Sequence, residues 1–321
     1  MRLPLTLDLH VPNFNFANTP PDALFDRIVE IAQTIERSGF SSISVMDHLH
    51  QIGPVGPPQN YMLEGSTTLA AIAARTQTLT LGLLVGSVTY RNPALAAKIT
   101  STVDIISGGR AWHGIGAGWF EEEHVAYGFD FPPLKERFER LEEALRIARS
   151  MFTGEEAAFA GTHFRIEHPY NNPLPLRGDI PILVGGSGER KTLRLVARYA
   201  DGCNLFGDAE RVTHLLGVLR AHCDDVGRDY DEITKTGMAS IIIAPTHEAA
   251  EQKVRDALAA GTPQARVDTS IVGDPDTVGE RIALLAGAGL EGLTVTTPDN
   301  SDLEALELIG RTLAPLFPAR V

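Results

Sequence analysis

Eight short apolar runs, at residues 3–9, 42–46, 79–85, 110–115, 180–184, 202–205, 236–243 and 293–297, recur along this chain of 321 residues, most of them separated by a helix signal. Strands spaced by helices imply crossover connections, and crossovers imply a parallel sheet. Eight such units can close into a (β/α)8 barrel. The competing arrangement, a doubly wound open sheet, needs a Gly-rich turn directly after its first strand. Here the first strand runs into His10-Val11-Pro12-Asn13-Phe14, which weakens that alternative. The expected fold is therefore α/β, a TIM barrel spanning residues 1–321 as a single domain.

The helix punctuation agrees with this reading. Thr19-Pro20-Pro21-Asp22 reads as a cap, a proline at the first helical position and an acid in the first turn, with Ser38-Gly39 ending that helix. Asn92-Pro93 opens another helix, closed at Ser107-Gly108-Gly109, and Thr246 and Asp274-Pro275 open two later ones. One stretch breaks the rhythm. Residues 154–179, after the fourth βα unit, read as an insertion: a short hairpin turning at Gly161-Thr162, then a Pro-rich loop, together a candidate lid.

Composition narrows the function classes. A formal net charge of -13 leaves no basic footprint for nucleic acid. No stretch is long and apolar enough to span a bilayer. Cys203 and Cys223 are the only cysteines, too few for a disulfide framework and consistent with a reducing, cytoplasmic setting.

In a barrel, residues just past each strand's carboxyl end face the active site. The glycines there carry the most information. Gly185-Gly186-Ser187-Gly188 lies between the strand "PILV" and a helix expected near Glu189, where backbone N–H groups can cradle a phosphate. Alone, such a turn is more often just a tight connection. It gains weight because Gly86-Ser87 and Gly116-Ala117-Gly118 thin the wall at the same end. Asp47 and His48, delivered side by side after strand two, form the best acid/base pair, an imidazole that moves protons near neutral pH beside a carboxylate.

The remaining candidates are weaker. His48-Leu49-His50 invites a metal site, as in a barrel metallohydrolase, but the mouths of strands four to six offer no further His or Lys, so no metal is expected. Ser187 lacks the spacing of a nucleophile elbow. Cys203 lies within a strand and reads as core. Trp119, Tyr90, Phe14 and residues 154–179 suggest a partly apolar pocket for a small-molecule substrate.

With these stretches assembled, the chain resembles the bacterial luciferase-like superfamily over residues 3–317, most closely its coenzyme F420-dependent branch. "VMDH", "GSVTYRNPALAAK", "SGGRAWHGIGAGWFEEEHVAYGF", "PILVGGSGERKTLRLVARYADGCNLF" and "GDPDTVGERIALLAGAGLEGLTV" carry the resemblance. It implies an oxidoreductase that transfers a hydride between the deazaflavin F420 and a small organic substrate, and a homodimer. It also implies a non-prolyl cis peptide after strand three, placed at Ser87–Val88, with Gly86 and Ser87 kept small for the passing ring and Val88 pressed against it.

The same resemblance implies that Gly185, Gly186, Ser187 and Gly188 hold the cofactor phosphate. Asp47 would bond the ring's polar edge, His48 would act as acid/base near the reacting carbon, and Gly116 and Trp119 would complete the cofactor contacts. Two departures stand out. Sugar-phosphate dehydrogenases of the group carry an acid where Trp119 stands, and many relatives carry Trp where Cys203 stands. The alternatives are an FMN-dependent monooxygenase served by a separate flavin reductase, and a non-catalytic flavin-binding protein.

Overall fold

The structure, a computed structural model, describes residues 2–155 and 158–318. Its strands are β1 (Leu7–Val11), β2 (Ser42–Val45), β3 (Thr80–Leu83), β4 (Gly86–Ser87) and β5 (His113–Gly116). A hairpin of β6 (Phe159–Ala160) and β7 (Arg165–Ile166) follows. Then come β8 (Ile182–Gly185), β9 (Gly202–Leu205), β10 (Thr234–Ile243), β11 (Ile271–Gly273) and β12 (Gly292–Thr296). The α-helices of the first half are α1 (Leu24–Arg37), α2 (Gly65–Ala73), α3 (Pro93–Ser107), α4 (Glu121–Tyr127) and α5 (Leu134–Thr153). Those of the second half are α6 (Thr192–Tyr199), α7 (Ala209–Val226), α8 (His247–Ala259), α9 (Gln264–Asp268), α10 (Pro275–Gly287) and α11 (Leu303–Leu313).

The strands pair in parallel in the order β3-β2-β1-β12-β10-β9-β8-β5-β4, with β11 added outside the ring on β10. β3 and β4 are two halves of one barrel strand. The first half pairs with β2 and the second with β5, and the ring closes through Leu81, whose N–H donates to the Arg110 carbonyl and whose carbonyl accepts from the Trp112 N–H. Eight barrel positions result, as the sequence suggests: an α/β TIM barrel.

Alternation along the strands sorts side chains between two environments. On β1, Leu7 and Leu9 join the apolar layer between barrel and helices, while Asp8 and His10 bond to side chains of the barrel interior. That interior has an apolar floor of Leu3, Leu5, Trp112 and Leu183. A polar layer belongs to the same interior. Asp8 Oδ2 accepts from Ser44 Oγ at 2.7 Å, His10 Nδ1 lies 3.1 Å from Ser44 Oγ, and Asn204 Nδ2 donates to Thr236 and Thr294. Gly114 is small because a Cβ there would lie 1.9 Å from the Leu83 carbonyl oxygen.

Outside the ring, α1 shows the helical stripe. Leu24, Ile28, Ile31 and Ile35 are buried against the barrel, each contributing roughly 1.5–3 kcal/mol. Asn92, Thr246 and Asp274 cap α3, α8 and α10 as expected, each accepting from a backbone N–H in the first turn. The first helix starts at Leu24, four residues later than its signals suggest, and residues 20–23 form turns. Pro21 is the physical reason, since it disfavours helical backbone at Pro20.

The hairpin turns where expected, with Gly161 N–H donating to the Phe164 carbonyl. Glu143 of α5 accepts from the N–H groups of Thr162, His163 and Phe164, so the hairpin lies along the outside of α5. Asn171 bonds Ser101 of α3 and the Met151 carbonyl, and the Leu176 N–H bonds Asp104. The described residues of 154–179 therefore flank α3 and α5 and line no part of the cavity formed beyond β2, β4 and β5. Glu156 and Ala157 of this segment lie outside the described residues. No helix among the described residues is long and apolar enough to cross a membrane.

Candidate active site

A cavity of about 440 Å³ opens at the carboxyl ends of the strands. Its wall includes Asp47 and His48 after β2, Val85, Gly86 and Ser87 around the break in strand three, Gly116 to Trp119 after β5, Gly185 and Gly186 after β8, and Asn204 and Phe206 from β9 and its end.

The break decides the shape of this wall. The non-prolyl cis peptide lies at Leu84–Val85, three residues before the expected Ser87–Val88. The register explains the difference: β3 stops at Leu83, so the chain changes partner between Leu83 and Gly86, and Ser87–Val88 already belongs to the β5-paired half. Val88 points into the core between barrel and helices and is 4% exposed, so it does not reach the cavity. Val85 stands there instead. A Cβ on Gly185 would lie 2.7 Å from Val85 Cγ2, and one on Gly116 would lie 2.9 Å from it. These glycines leave the room in which the Val85 side chain is seated.

Gly185 and Gly186 line the cavity, whereas Ser187 and Gly188 do not. The expected helix near Glu189 begins at Thr192, three residues later, so the Gly-rich stretch is loop and turn rather than a helix start. Ser187 Oγ instead accepts the Phe206 N–H at 3.1 Å, tying the β8 loop to the end of β9.

Asp47 is 3% exposed. Its Oδ2 accepts from the Ser87 N–H at 2.9 Å and from Arg91 Nη1 at 2.7 Å. Arg91 Nη2 reaches Glu64 Oε1 at 2.6 Å, and Glu64 caps α2 through the Ser66 and Thr67 N–H groups. Burial raises the Asp47 pKa, and the Arg91 guanidinium and the Ser87 amide oppose that rise. The other carboxylate oxygen, Oδ1, is buried without a partner, as is Asn204 Oδ1 elsewhere in the same wall.

His48 is anchored from behind. Glu123, fully buried in α4, takes four hydrogen bonds on one carboxylate. They come from His48 Nδ1 at 2.9 Å, the His50 N–H at 3.0 Å, the Leu49 N–H and the Tyr90 hydroxyl. Burial alone would raise the Glu123 pKa, but these bonds from His48, Tyr90, Leu49 and His50 bring it down to about 2. An ionised carboxylate only accepts, so Nδ1 carries the hydrogen and, in the neutral ring, Nε2 presents its lone pair. The Tyr90 hydroxyl is pushed well above its ordinary range, by burial first and by Glu123 second.

A second chain starts at Ser87. His124 Nδ1 donates to the Phe120 carbonyl at 2.7 Å, so Nε2 accepts from Thr89 Oγ1 at 2.6 Å, and Thr89 accepts in turn from Ser87 Oγ at 2.7 Å. This ties strand three to the first turn of α4 and fixes the loop carrying Trp119.

The structure thus brings Asp47, His48, Gly86, Ser87, Gly116, Trp119, Gly185 and Gly186 together, and leaves Val88, Ser187 and Gly188 out of the cavity. Phe14, expected near the pocket, is buried in the core with its ring 6.5 Å edge-on to Phe16. Cys203 is fully buried within β9, where burial pushes its thiol up to about 12. Sequence reasoning placed Tyr90 in the pocket wall, where it lies, but assigned no role to Glu123 or Arg91. Glu121, Glu122 and Glu123 follow one another at the mouth of the fourth barrel strand, and only helical phase could have separated the buried third acid from its exposed neighbours.

Comparison with known proteins places the chain. The family model of the luciferase-like monooxygenases matches residues 7–270. The F420-dependent glucose-6-phosphate dehydrogenase of Segniliparus rotundus is 29% identical, with 90% of this chain and 92% of the relative covered. Among solved structures, an F420-dependent secondary alcohol dehydrogenase superposes with a TM-score of 0.81 at 16% identity, covering 98% of this chain and all of that one. EDTA monooxygenase from Chelativorans sp. BNC1 superposes with a TM-score of 0.80 at 18% identity, covering 99% of this chain and 95% of that one. The profile match covers well over half the sequence, and the chain belongs to the luciferase-like monooxygenase family.

Proposed function

We propose that this protein is an oxidoreductase moving a hydride between the deazaflavin coenzyme F420 and a small organic substrate. One observation carries the reading: a single cavity holds the Glu123-anchored imidazole of His48 together with two buried acceptors, Asp47 Oδ1 and Asn204 Oδ1, that lack partners. Relatives that align over nine-tenths of the chain are F420-dependent dehydrogenases, which supports this choice of cofactor.

The residues fit such a group. The cavity volume is in the range of small-molecule and cofactor sites, and its orphan oxygens suit the N–H and hydroxyl groups of a ring's polar edge. Asp47, Gly86, Ser87, Gly116, Trp119, Gly185 and Gly186 would hold the ring, with Val85 as its backstop. Ser187 and Gly188, in the loop beyond, would meet its phosphate. When bound, the deazaflavin supplies a carbon that accepts or gives up hydride and does not productively activate oxygen.

The chain's own contribution is orientation and proton handling. His48 Nε2 takes the substrate's hydroxyl proton in the oxidative direction and returns it in the reductive one. Glu123 holds the ring in the tautomer that allows this. Arg91 keeps Asp47 in place beneath the wall. The same reading carries a homodimer and a cytoplasmic location, the first testable by light scattering in solution.

The direct test titrates the apoprotein with F420 and with FMN while following tryptophan emission. The chain has two tryptophans, and only Trp119 lines the cavity, Trp112 being buried in the barrel floor. Tight quenching by F420 with weak quenching by FMN is expected. The reverse preference would replace this reading with an FMN-dependent monooxygenase served by a reductase.

A further inference from the structure

We infer that the protein holds a second small-molecule site, at the carboxyl ends of β10 and β12, and that Arg266 there binds the carboxylate of an organic monoanion. The inference goes beyond the hydride-transfer reading and does not depend on it.

The site is a cavity of about 730 Å³, within the range of small-molecule clefts. Ile241 and Ile242 at the end of β10, Pro298 after β12, Phe16 after β1 and Ala257 of α8 give it apolar walls. None of its lining residues belongs to the wall around Asp47 and His48. Both cavities open at the same barrel end. His10 stands near each, its pKa lowered to about 3 by burial first and then by the charges of Arg266 and His48.

Arg266 is the feature that calls for a ligand. Other arginines of this fold are neutralised, saturated or covered. Arg91 lies between Asp47 and Glu64, and Arg149 between Asp179 and Asp201. Arg110 has no acid in contact, but its nitrogens donate to the carbonyls of Ser107, Leu79, Ala73 and Thr76 and to the Thr76 hydroxyl. Arg137 lies over the Phe131 ring at 3.9 Å and lines no part of this cavity. Arg266, half-buried on α9, lines the cavity and has none of these arrangements. Its Nη2 donates to Thr296 Oγ1 at 3.1 Å and to the Thr297 carbonyl at 2.7 Å, which fixes the group to the end of β12. Among the described residues, Nε and Nη1 meet no acceptor and no carboxylate pairs with the guanidinium. Burial brings its pKa down to about 10, with no acid opposing the shift.

A guanidinium partly removed from water without a countercharge is costly, and an anion on its open donors removes that cost. The planar group suits a carboxylate. The charges around it set the charge of the ligand. Lys253, the other cation lining the cavity, is engaged by Asp302 at 2.5 Å. Asp299 accepts from the Ser301 N–H and hydroxyl, and Asp256 accepts from Gln252 Nε2. Beside these two acids, the single free guanidinium matches one negative charge, and a dianionic phosphate meets repulsion.

Calorimetric titration of the apoprotein provides the test, with 4-phenylbutyrate, the neutral 4-phenylbutan-1-ol and 3-phenylpropyl phosphate as probes. The acid is expected to bind at least about tenfold more tightly than either the alcohol or the phosphate. Arg266→Gln should erase the margin of acid over alcohol while leaving alcohol binding within about twofold, and Arg266→Lys should keep part of the margin. The wild-type comparison needs no variant, so it decides the question even if circular dichroism shows Arg266→Gln to be misfolded. Equal binding of acid and alcohol, tighter binding of the phosphate, or an unchanged margin in folded Arg266→Gln overturns the inference. No measurement here uses F420. Loss of the cofactor reading therefore leaves the carboxylate site standing, and absence of a carboxylate preference leaves the cofactor reading standing.

Discussion

Glu123 and His48 are 75 residues apart in sequence, yet the Glu123 carboxylate receives the His48 Nδ1 hydrogen at 2.9 Å while three other donors hold that carboxylate still. This arrangement ties the orientation of the imidazole to the first turn of α4. A helix that is otherwise a surface element therefore holds, through one buried acid, the imidazole proposed to handle protons in the cavity.

Replacing that acid tests the coupling. All four partners of Glu123 donate, so the amide of Glu123→Gln must set a donor against a donor. A loss of about 1–3 kcal/mol in urea unfolding and a fall of about 10–100-fold in kcat are expected. A purely structural role would lower stability and leave the pH profile of kcat in place, whereas a positioning role shifts the profile as well. An unchanged profile would remove Glu123 from the mechanism.

Arg91 offers a test of buried charge. Its side chain lies between Asp47 and Glu64, and Asp47 is almost fully enclosed. Arg91→Met strands the carboxylate and should cost about 3–5 kcal/mol. Adding Asp47→Asn removes the stranded charge, so the double variant should be more stable than Arg91→Met alone. Additive losses in thermal or denaturant unfolding would show that the two groups are not coupled.

The barrel interior predicts a pH dependence of stability. Burial raises Asp8 to about 6 from its ordinary 3.8, while hydrogen bonds from Ser44, Ser42 and Thr294 oppose the shift. A raised folded-state pKa means the folded protein holds the proton more tightly, so stability attributable to Asp8 is full below pH 3.8 and is lost as pH rises through 6. Asp8→Asn removes that loss. The variant should match the wild type near pH 4 and exceed it by about 3 kcal/mol above pH 6.5. His10, lowered to about 3 chiefly by burial, titrates with the opposite sign in both proteins and cancels from the difference. A wild-type-minus-variant stability that is flat between pH 4 and 7 would contradict this assignment.

Gly114 in the barrel and Gly185 in the cavity wall should respond differently to the same added methyl group. Gly114→Ala drives a Cβ against the Leu83 backbone carbonyl, which cannot move without unpairing the sheet, and the expected loss exceeds about 3 kcal/mol. Gly185→Ala meets only the Val85 side chain, so the protein should fold with Val85 pushed into the cavity and F420 affinity reduced about tenfold. Soluble expression with circular dichroism separates the first outcome from the second, and a fluorescence titration measures the latter.

The barrel was readable because its signal is local and repeated. Runs such as Ser42–Val45 and Ile182–Gly185 announce strands by their own composition, and Asn92, Thr246 and Asp274 announce helices by caps that act within one turn. The placement of Asp47 and His48 together in the cavity wall was equally local, although Asp47 bonds Ser87 and Arg91 while His48 bonds Glu123. The reading slipped where geometry depends on a distant partner. Ser87 and Val88 looked like the strand's special turn, but the break lies three residues earlier, where β2 gives way to β5 as the neighbour of strand three.

The sequence by itself determined the eight-unit α/β barrel and pointed to the strand end where the cavity opens, with Asp47 and His48 in its wall. Spacing and propensity act over a few residues, and those features need no more. Only the tertiary structure decided that Val85 rather than Val88 faces the cavity, that Gly116 and Gly185 leave the room in which it is seated, and that Glu123 alone of three adjacent acids is buried against His48. Each of those outcomes depends on which strands and helices meet in space. Contacts between residues 31 to 100 positions apart leave no periodicity in the chain to be read.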